Sequence, residues 1–203
     1  MEFVFQIAIL IMSVVIHEVS HGYAASYLGD ETARWQGRLT LNPLKHLDPV
    51  GSFVVPVIAY LTGGFIFGWA KPVPYNPYNL RPGRWSEAIV AAAGPISNLS
   101  IALIFGFILR SGVTLGWASQ SFVTITAIVV FINIVLAIFN LVPIAPLDGS
   151  KLLYALFPEN TLKFRQFFER YGLMLVLFFI FFLWSYLFPV IAFVFRLITG
   201  IAF

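Results

Sequence analysis

The stretch His17–His21, which reads HEVSH, lies inside an apolar run at residues 3–28. Ionisable side chains at membrane depth are costly in free energy, so their presence there indicates function by default. Residues four apart share one face of a helix, so the imidazoles of His17 and His21 can bind one zinc ion, with Glu18 beside it to activate a water. The alternative is two core histidines and a glutamate near a helix end. Three costly groups in this spacing favour the metal site.

The composition is that of a membrane protein. Hydrophobic residues make up 60% of the 203 residues and charged residues only 10%, whereas about a quarter of a soluble domain is charged. We therefore expect residues 1–203 to form one transmembrane domain in a lipid bilayer. The net charge of +3 is spread over loops, which fits a membrane edge and not a nucleic-acid surface. The absence of cysteine excludes disulfides and thiolate zinc ligands.

Five apolar stretches follow one another at residues 3–28, 50–68, 86–109, 121–147 and 171–203. All but the second are long enough to cross a bilayer, which takes about 20 apolar residues in a helix. If the second stretch crosses, the twelve basic residues divide five against seven between the two sides; if it re-enters, they divide ten against two, with Arg110 and Arg196 opposite the rest. The positive-inside rule favours the re-entrant loop. It predicts a cell-membrane protein with an outside amino terminus, cytoplasmic segments at 29–86 and 148–170, and an active site toward the cytoplasm.

Three connecting segments carry further expectations. Partial alternation over residues 34–41, ending at Asn42, predicts a short β-hairpin that either pairs with an extended substrate or merely connects helices. The proline-rich run Lys71–Pro77 is expected to form an extended surface cover. In the last stretch we expect a crossing helix to about Leu187, with Pro189 separating it from a short second helix.

A catalytic zinc usually takes three protein ligands, so two histidines are not enough. Asp148 emerges beside a glycine where the fourth apolar stretch ends, and it is the leading candidate for the third ligand. Two alternatives remain open. Asp148 could instead cap the helix that follows it, and Asp48 could supply the third carboxylate. For His46 a turn-stabilising role is favoured over ligation, because it follows a proline-defined turn.

Two asparagines lie in the long apolar stretches near these groups. Asn140 is a candidate oxyanion donor or substrate-positioning residue, with a helix-to-helix hydrogen bond as the alternative. Asn98 is a second candidate for substrate positioning. Together with Ser13, Ser20 and the re-entrant loop, the two asparagines are expected to line an aqueous pocket, since lipid supplies no water.

The chain resembles the site-2 protease family of intramembrane zinc metalloproteases. The residues that carry the resemblance are the His17–His21 motif, Gly94-Pro95 with Asn98, and Asn140 with the run Pro146–Gly149. No peptide-binding or nucleotide-binding module is recognisable, so the chain is similar to a compact member of that family.

This resemblance implies an all-α, polytopic fold with a catalytic core of three transmembrane helices, next to the re-entrant loop, the hairpin and the carboxyl-terminal helices. It also implies Zn²⁺ held by His17, His21 and Asp148, with Glu18 as the catalytic base.

The implied function is an intramembrane zinc endopeptidase that cuts within or near a transmembrane segment of another membrane protein or peptide. The alternative from another class is a zinc-binding membrane protein without proteolysis, either a transporter or a scaffold that binds helices. Polar residues that concentrate at one site, without a transporter-type internal repeat, favour the peptidase. A peptidase that trims short lipid-anchored or remnant signal fragments would share the site and differ in its substrate.

Overall fold

The computed structural model describes residues 2–48, 51, 70–158 and 161–201. Within these residues the chain is helical and contains no β-strand. The helices are α1 (Glu2–Tyr27), α2 (Thr32–Trp35), α3 (Ser86–Thr114), α4 (Gln120–Asn140), α5 (Gly149–Leu156), α6 (Thr161–Phe178) and α7 (Trp184–Thr199). Single 3₁₀ turns occupy Pro43–Lys45 and Pro77–Asn79.

Four helical segments are long and apolar enough to cross a membrane, namely Val4–Tyr27, Ser86–Thr114, Gln120–Asn140 and Arg170–Thr199. They coincide with the four long apolar stretches of the sequence, and the chain is a multi-pass membrane protein. The last segment joins the end of α6 to α7 through a π-helical turn at Phe179–Leu183.

Helix α3 is the centre of the bundle. Helices α1 and α4 pack along it, and α7 packs against both α3 and α4. Where α3, α4 and α7 meet, a buried cluster forms from Ala102, Val130, Ile134, Ile191 and Phe195. Between membrane helices lipid offers no hydrophobic driving force, so close packing of this kind and polar contacts hold the bundle together.

Local sequence explains where two of these helices begin and end. The Ser119 hydroxyl accepts from the Phe122 N–H and caps the start of α4. At the same end of the bundle Gly200, with φ +75°, takes the left-handed conformation that closes α7.

The β-hairpin predicted over residues 34–41 is wrong. The chain forms the short helix α2 there, followed by turns, because the Asp30 carboxylate accepts from both the backbone N–H and the hydroxyl of Thr32. Side-chain capping of this kind gives the backbone an alternative to strand pairing. Arg38, which lies in this segment, is buried. No edge strand is therefore available here for a substrate.

The break predicted at Pro189 is also wrong. Helix α7 continues through Pro189 to Thr199, and the irregularity lies earlier, at the π-helical turn. Proline removes one backbone donor, but membrane helices tolerate that loss when neighbouring groups re-satisfy the freed carbonyl.

The predicted re-entrant loop at residues 50–68 lies, except for Gly51, outside the described residues. The segments that flank it lie close together. The Lys71 N–H donates to the His46 carbonyl at 2.8 Å, and the Arg81 N–H donates to the Leu28 carbonyl at 2.8 Å. Both flanking segments therefore lie at the end of the bundle where α1 ends.

Asp30 ties these flanking segments together just beyond the end of α1. It is fully buried and accepts from the Asn76 N–H at 2.7 Å and the Asn79 side-chain amide at 2.9 Å, in addition to Thr32. Burial alone would raise the pKa of Asp30, but the hydrogen bonds from Thr32, Asn79 and Asn76 outweigh it and hold the pKa below its ordinary 3.8. The charged carboxylate therefore stabilises the fold.

A group with a lowered folded-state pKa contributes stability that is complete above its ordinary pKa and is lost as the pH falls toward the folded-state value. We expect Asp30→Asn to lower the unfolding free energy at pH 7 by about 1–3 kcal/mol. The difference from wild type should shrink as the pH falls below the ordinary 3.8. Thermal unfolding of metal-free protein in detergent between pH 3 and 7 measures this, with Glu31→Gln as the control. Stability curves of the two proteins that stay parallel across this range would contradict the expectation.

Candidate metal centre

The helix α1 presents two imidazoles on one face, as the four-residue spacing predicts. His17 and His21 are buried, and the Nε2 atom of each lies 3.2 Å from Oδ2 of Asp148. One ligand atom from each of the three residues lies within 4.8 Å of the others. The structure thus brings together a residue from the first apolar stretch and one from the end of the fourth, across 131 positions of sequence.

Asp148 reaches this point because the chain turns back sharply after α4. The turn packs so tightly that a Cβ on Gly149 would lie 2.2 Å from the Leu141 carbonyl oxygen, so only glycine fits there. Although Asp148 occupies the N-cap position of α5, its side chain makes no capping hydrogen bond. The capping alternative therefore does not describe this carboxylate, which is turned to the histidines instead.

Asp148 is charged in this setting. Burial alone would raise the pKa of Asp148, but His17 and His21 outweigh it and hold the pKa well below its ordinary range. Asp48, the alternative third carboxylate, is not a member of the cluster, and its Oδ1 accepts from the Gly51 N–H at 2.6 Å.

Hydrogen bonds at the far side of each ring decide which nitrogen is available. His21 Nδ1 lies 2.7 Å from the Val90 carbonyl, which can only accept, so Nδ1 carries a proton and Nε2 is the ring nitrogen turned to Asp148. His17 Nδ1 contacts Oδ1 of Asn98, whose Nδ2 donates to Asn133 at 2.8 Å. That donation orients the Asn98 amide, so its oxygen accepts from His17 Nδ1, and the Nε2 atom of this ring also faces Asp148.

Asn98 therefore lies behind His17, buried in the bundle, and not at a surface that a substrate would touch. Asn133 is a residue that the sequence analysis missed. Its Nδ2 donates to the Ser13 hydroxyl at 2.9 Å, which ties α1, α3 and α4 together through one polar network. The available signal was an asparagine in the middle of the most apolar stretch, where an unpaired amide would be costly.

Helix α3 leaves room for an ion by carrying a glycine at the closest point. A Cβ on Gly94 would lie 2.5 Å from Nε2 of His17 and 2.5 Å from Nε2 of His21. Two imidazole Nε2 atoms and one carboxylate oxygen, beside an open cavity, make up a donor set that zinc uses in catalytic sites once the nitrogens carry no proton. The residues present fit a zinc ion.

Glu18 lies in the same cavity, of about 160 Å³, as the three clustered residues. Its Oε2 accepts from the Val73 N–H at 2.8 Å. Residues 70–76 have no regular secondary structure and cover the cavity, as predicted for the proline-rich run. Asn140 also lines the cavity, and among the described residues its Nδ2 donates to the Leu136 carbonyl of its own helix at 2.9 Å and not to another helix.

His46 lies apart from the cluster. Its Nε2 donates to the Thr40 carbonyl at 2.8 Å, which agrees with the predicted turn-stabilising role. A bundle with four membrane-spanning helices that brings two histidines, an aspartate and a glutamate into one cavity is typical of intramembrane metallopeptidases.

Comparison with known proteins agrees with this class. Residues 115–183 match the family model of peptidase family M50. Two relatives carry the name "Putative zinc metalloprotease". YwhC of Bacillus subtilis is 38% identical over 83% of this chain and 76% of its own length. Rip2 of Mycolicibacterium smegmatis is 33% identical over 72% of this chain and 55% of its own length. No solved structure matches the chain at a comparable level.

The chain belongs to peptidase family M50, the site-2 protease family. It is a zinc metalloprotease of the intramembrane type, and the resemblance stated from the sequence motifs is confirmed.

The glycine beside the histidines offers a direct test of the metal centre. We expect Gly94→Ala to weaken zinc binding by about 10- to 100-fold, the range seen when the support of a metal ligand is disturbed, because the new Cβ would press on both Nε2 atoms. Zinc content after purification and competition with a chromophoric chelator measure the change. Ser100→Ala, an exposed position on the same helix, is the control. Full zinc retention in Gly94→Ala would show that the ion is held elsewhere.

Proposed function

We propose that the protein hydrolyses a peptide bond within or near a transmembrane segment of another membrane protein or peptide. In this proposal His17, His21 and Asp148 hold the zinc ion and Glu18 is the catalytic base. The observation that carries it is the convergence of two imidazole Nε2 atoms on one carboxylate oxygen, in a cavity that also contains Glu18.

The chemistry needs an activated water and a place for the proton. When bound, zinc supplies Lewis acidity, which lowers the pKa of a water and polarises the scissile carbonyl. The Glu18 carboxylate then takes the proton of the attacking water and delivers it to the leaving amine. Asn140 lines the cavity and is suited to donate to the developing oxyanion, an interaction worth about 3 kcal/mol where it occurs.

Three helices and the turn after α4 supply the groups of this proposed centre. Helix α1 contributes the histidines and Glu18, α3 contributes Asn98 and the Val90 carbonyl, and α4 contributes Asn133 and leads into the turn that carries Asp148. We infer that α1, α3 and α4 form the catalytic core. Helix α7 packs on α3 and α4 but provides none of the groups around the cluster.

A substrate helix shelters its own peptide bonds, because its N–H and carbonyl groups are paired within the segment. A cavity of about 160 Å³ holds a short piece of extended chain and not a helix of 10–12 Å diameter. Substrates are therefore expected to unwind locally, and helix-weakening residues should occur near the cut.

The distribution of charge supports an active site toward the cytoplasm. Ten of the twelve basic residues lie in the segments at the end of the bundle that holds the metal centre, namely Arg34, Arg38, Lys45, Lys71, Arg81, Arg84, Lys151, Lys163, Arg165 and Arg170. The other two lie near the opposite end, where Nη1 of Arg110 is 3.5 Å from the Leu197 carbonyl, next to Arg196. Basic loops remain on the cytoplasmic side.

The base is tested by cleavage. Purified zinc-loaded protein should cut a transmembrane test substrate in detergent or vesicles, and Glu18→Gln should lose about 10²- to 10⁴-fold in kcat, the usual contribution of general acid–base catalysis. Because Glu18 lies outside the ligand cluster, its variant should keep its zinc. Glu31→Gln serves as a matched control outside the cavity. Cleavage by Glu18→Gln at the wild-type rate would show that Glu18 is not the catalytic base. Zinc flux across vesicles without any cleavage would favour the alternative function as a zinc transporter.

The orientation is tested by reporter fusions. A reporter placed after Trp69 and another placed after Pro158 should both register as cytoplasmic, because ten basic residues share that side in the proposed topology. A fusion after Gly116, in the turn between α3 and α4, should register as external. An external signal after Trp69 would overturn the re-entrant arrangement.

A further inference from the structure

An extended segment crosses the catalytic cavity and touches Glu18. This segment, Lys71–Asn76, is called the strap below. Pro72, Val73 and Tyr75 line the cavity. The Val73 side chain packs against α1 at Gly22, one turn beyond Glu18, where an added Cβ would lie 2.8 Å from Val73 Cγ1. The absence of a side chain at position 22 lets the strap lie directly on the helix that carries the base.

The strap presents a single backbone donor at the site. Proline has no N–H and fixes an extended backbone, so among Pro72, Val73 and Pro74 only Val73 can donate. That N–H donates to Oε2 of Glu18 at 2.8 Å. In the described part of the chain no hydrogen bond reaches Oε1, so one carboxylate oxygen is fixed and the other is open to a water.

Both ends of the strap are anchored by charged side chains that are themselves buried. At the first end, Nη2 of Arg38 donates to the Lys71 carbonyl at 2.8 Å and to the Pro72 carbonyl at 3.2 Å. At the other end, the Asp30 carboxylate accepts from the Asn76 N–H at 2.7 Å. Arg38 is only 6% exposed and Asp30 0%.

Burying a guanidinium or a carboxylate is costly unless hydrogen bonds compensate it. Covering a cavity would need only the apolar side chains of the strap. Instead, the buried side chains of Arg38 and Asp30 form hydrogen bonds to the backbone of the strap. These bonds indicate that the position of that backbone matters. The group whose position they fix, between the two anchors, is the Val73 N–H.

We propose that the strap positions the catalytic base: the Val73 N–H fixes one oxygen of Glu18, so that the other faces the attacking water, and Arg38 and Asp30 are positioning residues that hold the strap in place. The inference rests on the proposed function, because it assumes that Glu18 takes the proton. A base displaced by about 1 Å can cost about 100-fold in rate. Neither anchor touches the reacting atoms, so their effect reaches the reaction through Val73.

The sharpest test removes one hydrogen-bond donor, the Val73 N–H, from the strap. Val73→Pro deletes the N–H and keeps an extended apolar residue between two prolines, whereas Val73→Ala keeps the N–H and shortens the side chain. We expect kcat for a transmembrane test substrate to be about 10- to 100-fold lower in Val73→Pro than in Val73→Ala. KM and zinc content should agree between the two variants, since both keep the ligand cluster and an apolar side chain at position 73.

A second pair of variants tests the anchor. Arg38→Met should lower kcat without lowering zinc content, while Arg34→Met, which removes an exposed arginine that pairs with Glu31 on the surface, serves as the control. If Arg38 acts through Val73, the double variant Arg38→Met/Val73→Pro should lose little more than Val73→Pro alone. Additive losses would mean that Arg38 acts by another route and would overturn this assignment.

Other outcomes are equally decisive. If wild-type protein cuts the substrate and Val73→Pro has the same kcat as Val73→Ala, the role proposed for the strap is rejected. The proposed protease function would then still stand. Zinc lost in proportion to activity would also reject it, because the strap would then support the metal centre. Absence of cleavage by zinc-loaded wild type would reject the proposed function itself. If Val73→Pro does not fold, the kcat and zinc content of Arg38→Met decide.

Discussion

The structure depends on satisfying ionisable groups inside an apolar bundle. His17 and His21 lie in a helix that is apolar almost throughout, and each ring nitrogen there must find a partner or cost several kcal/mol. On one side of each ring the bundle supplies a fixed acceptor, Asn98 or the Val90 carbonyl. On the other side both rings face Asp148. A cation at that point would neutralise the carboxylate and bind both rings through their Nε2 atoms.

The same constraint explains the arrangement of the helices. The acceptors behind the rings come from α3, the carboxylate comes from the turn after α4, and the polar contacts through Asn133 and Ser13 hold α1, α3 and α4 in register. In a bilayer these contacts supply part of the stabilisation that hydrophobic burial would supply in water. Metal centre and helix packing are thus one network, and a change at Gly94 or Asn98 is expected to affect both.

The connecting segments show where sequence reasoning fails. Alternation at residues 34–41 predicted a strand, but the Asp30 carboxylate bonds Thr32 at the start of a short helix there and Arg38 turns inward to the strap. The Arg38 contact is not visible locally, because its partners Lys71 and Pro72 lie more than 30 positions along the chain. Pro189 likewise looked like a break, although packing in the bundle lets α7 pass through it.

The sequence alone determined the membrane class, the four crossing segments, the pairing of His17 with His21 and the family, because hydrophobic length and a four-residue helical spacing are local properties. It also identified Asp148 as a candidate. Tertiary structure decided that Asp148, and not Asp48, meets the histidines, that Asn98 lies behind His17, and that Val73 reaches Glu18. Those contacts join residues 55 to 131 positions apart, and only the packing of the helices and the turns between them brings such residues together.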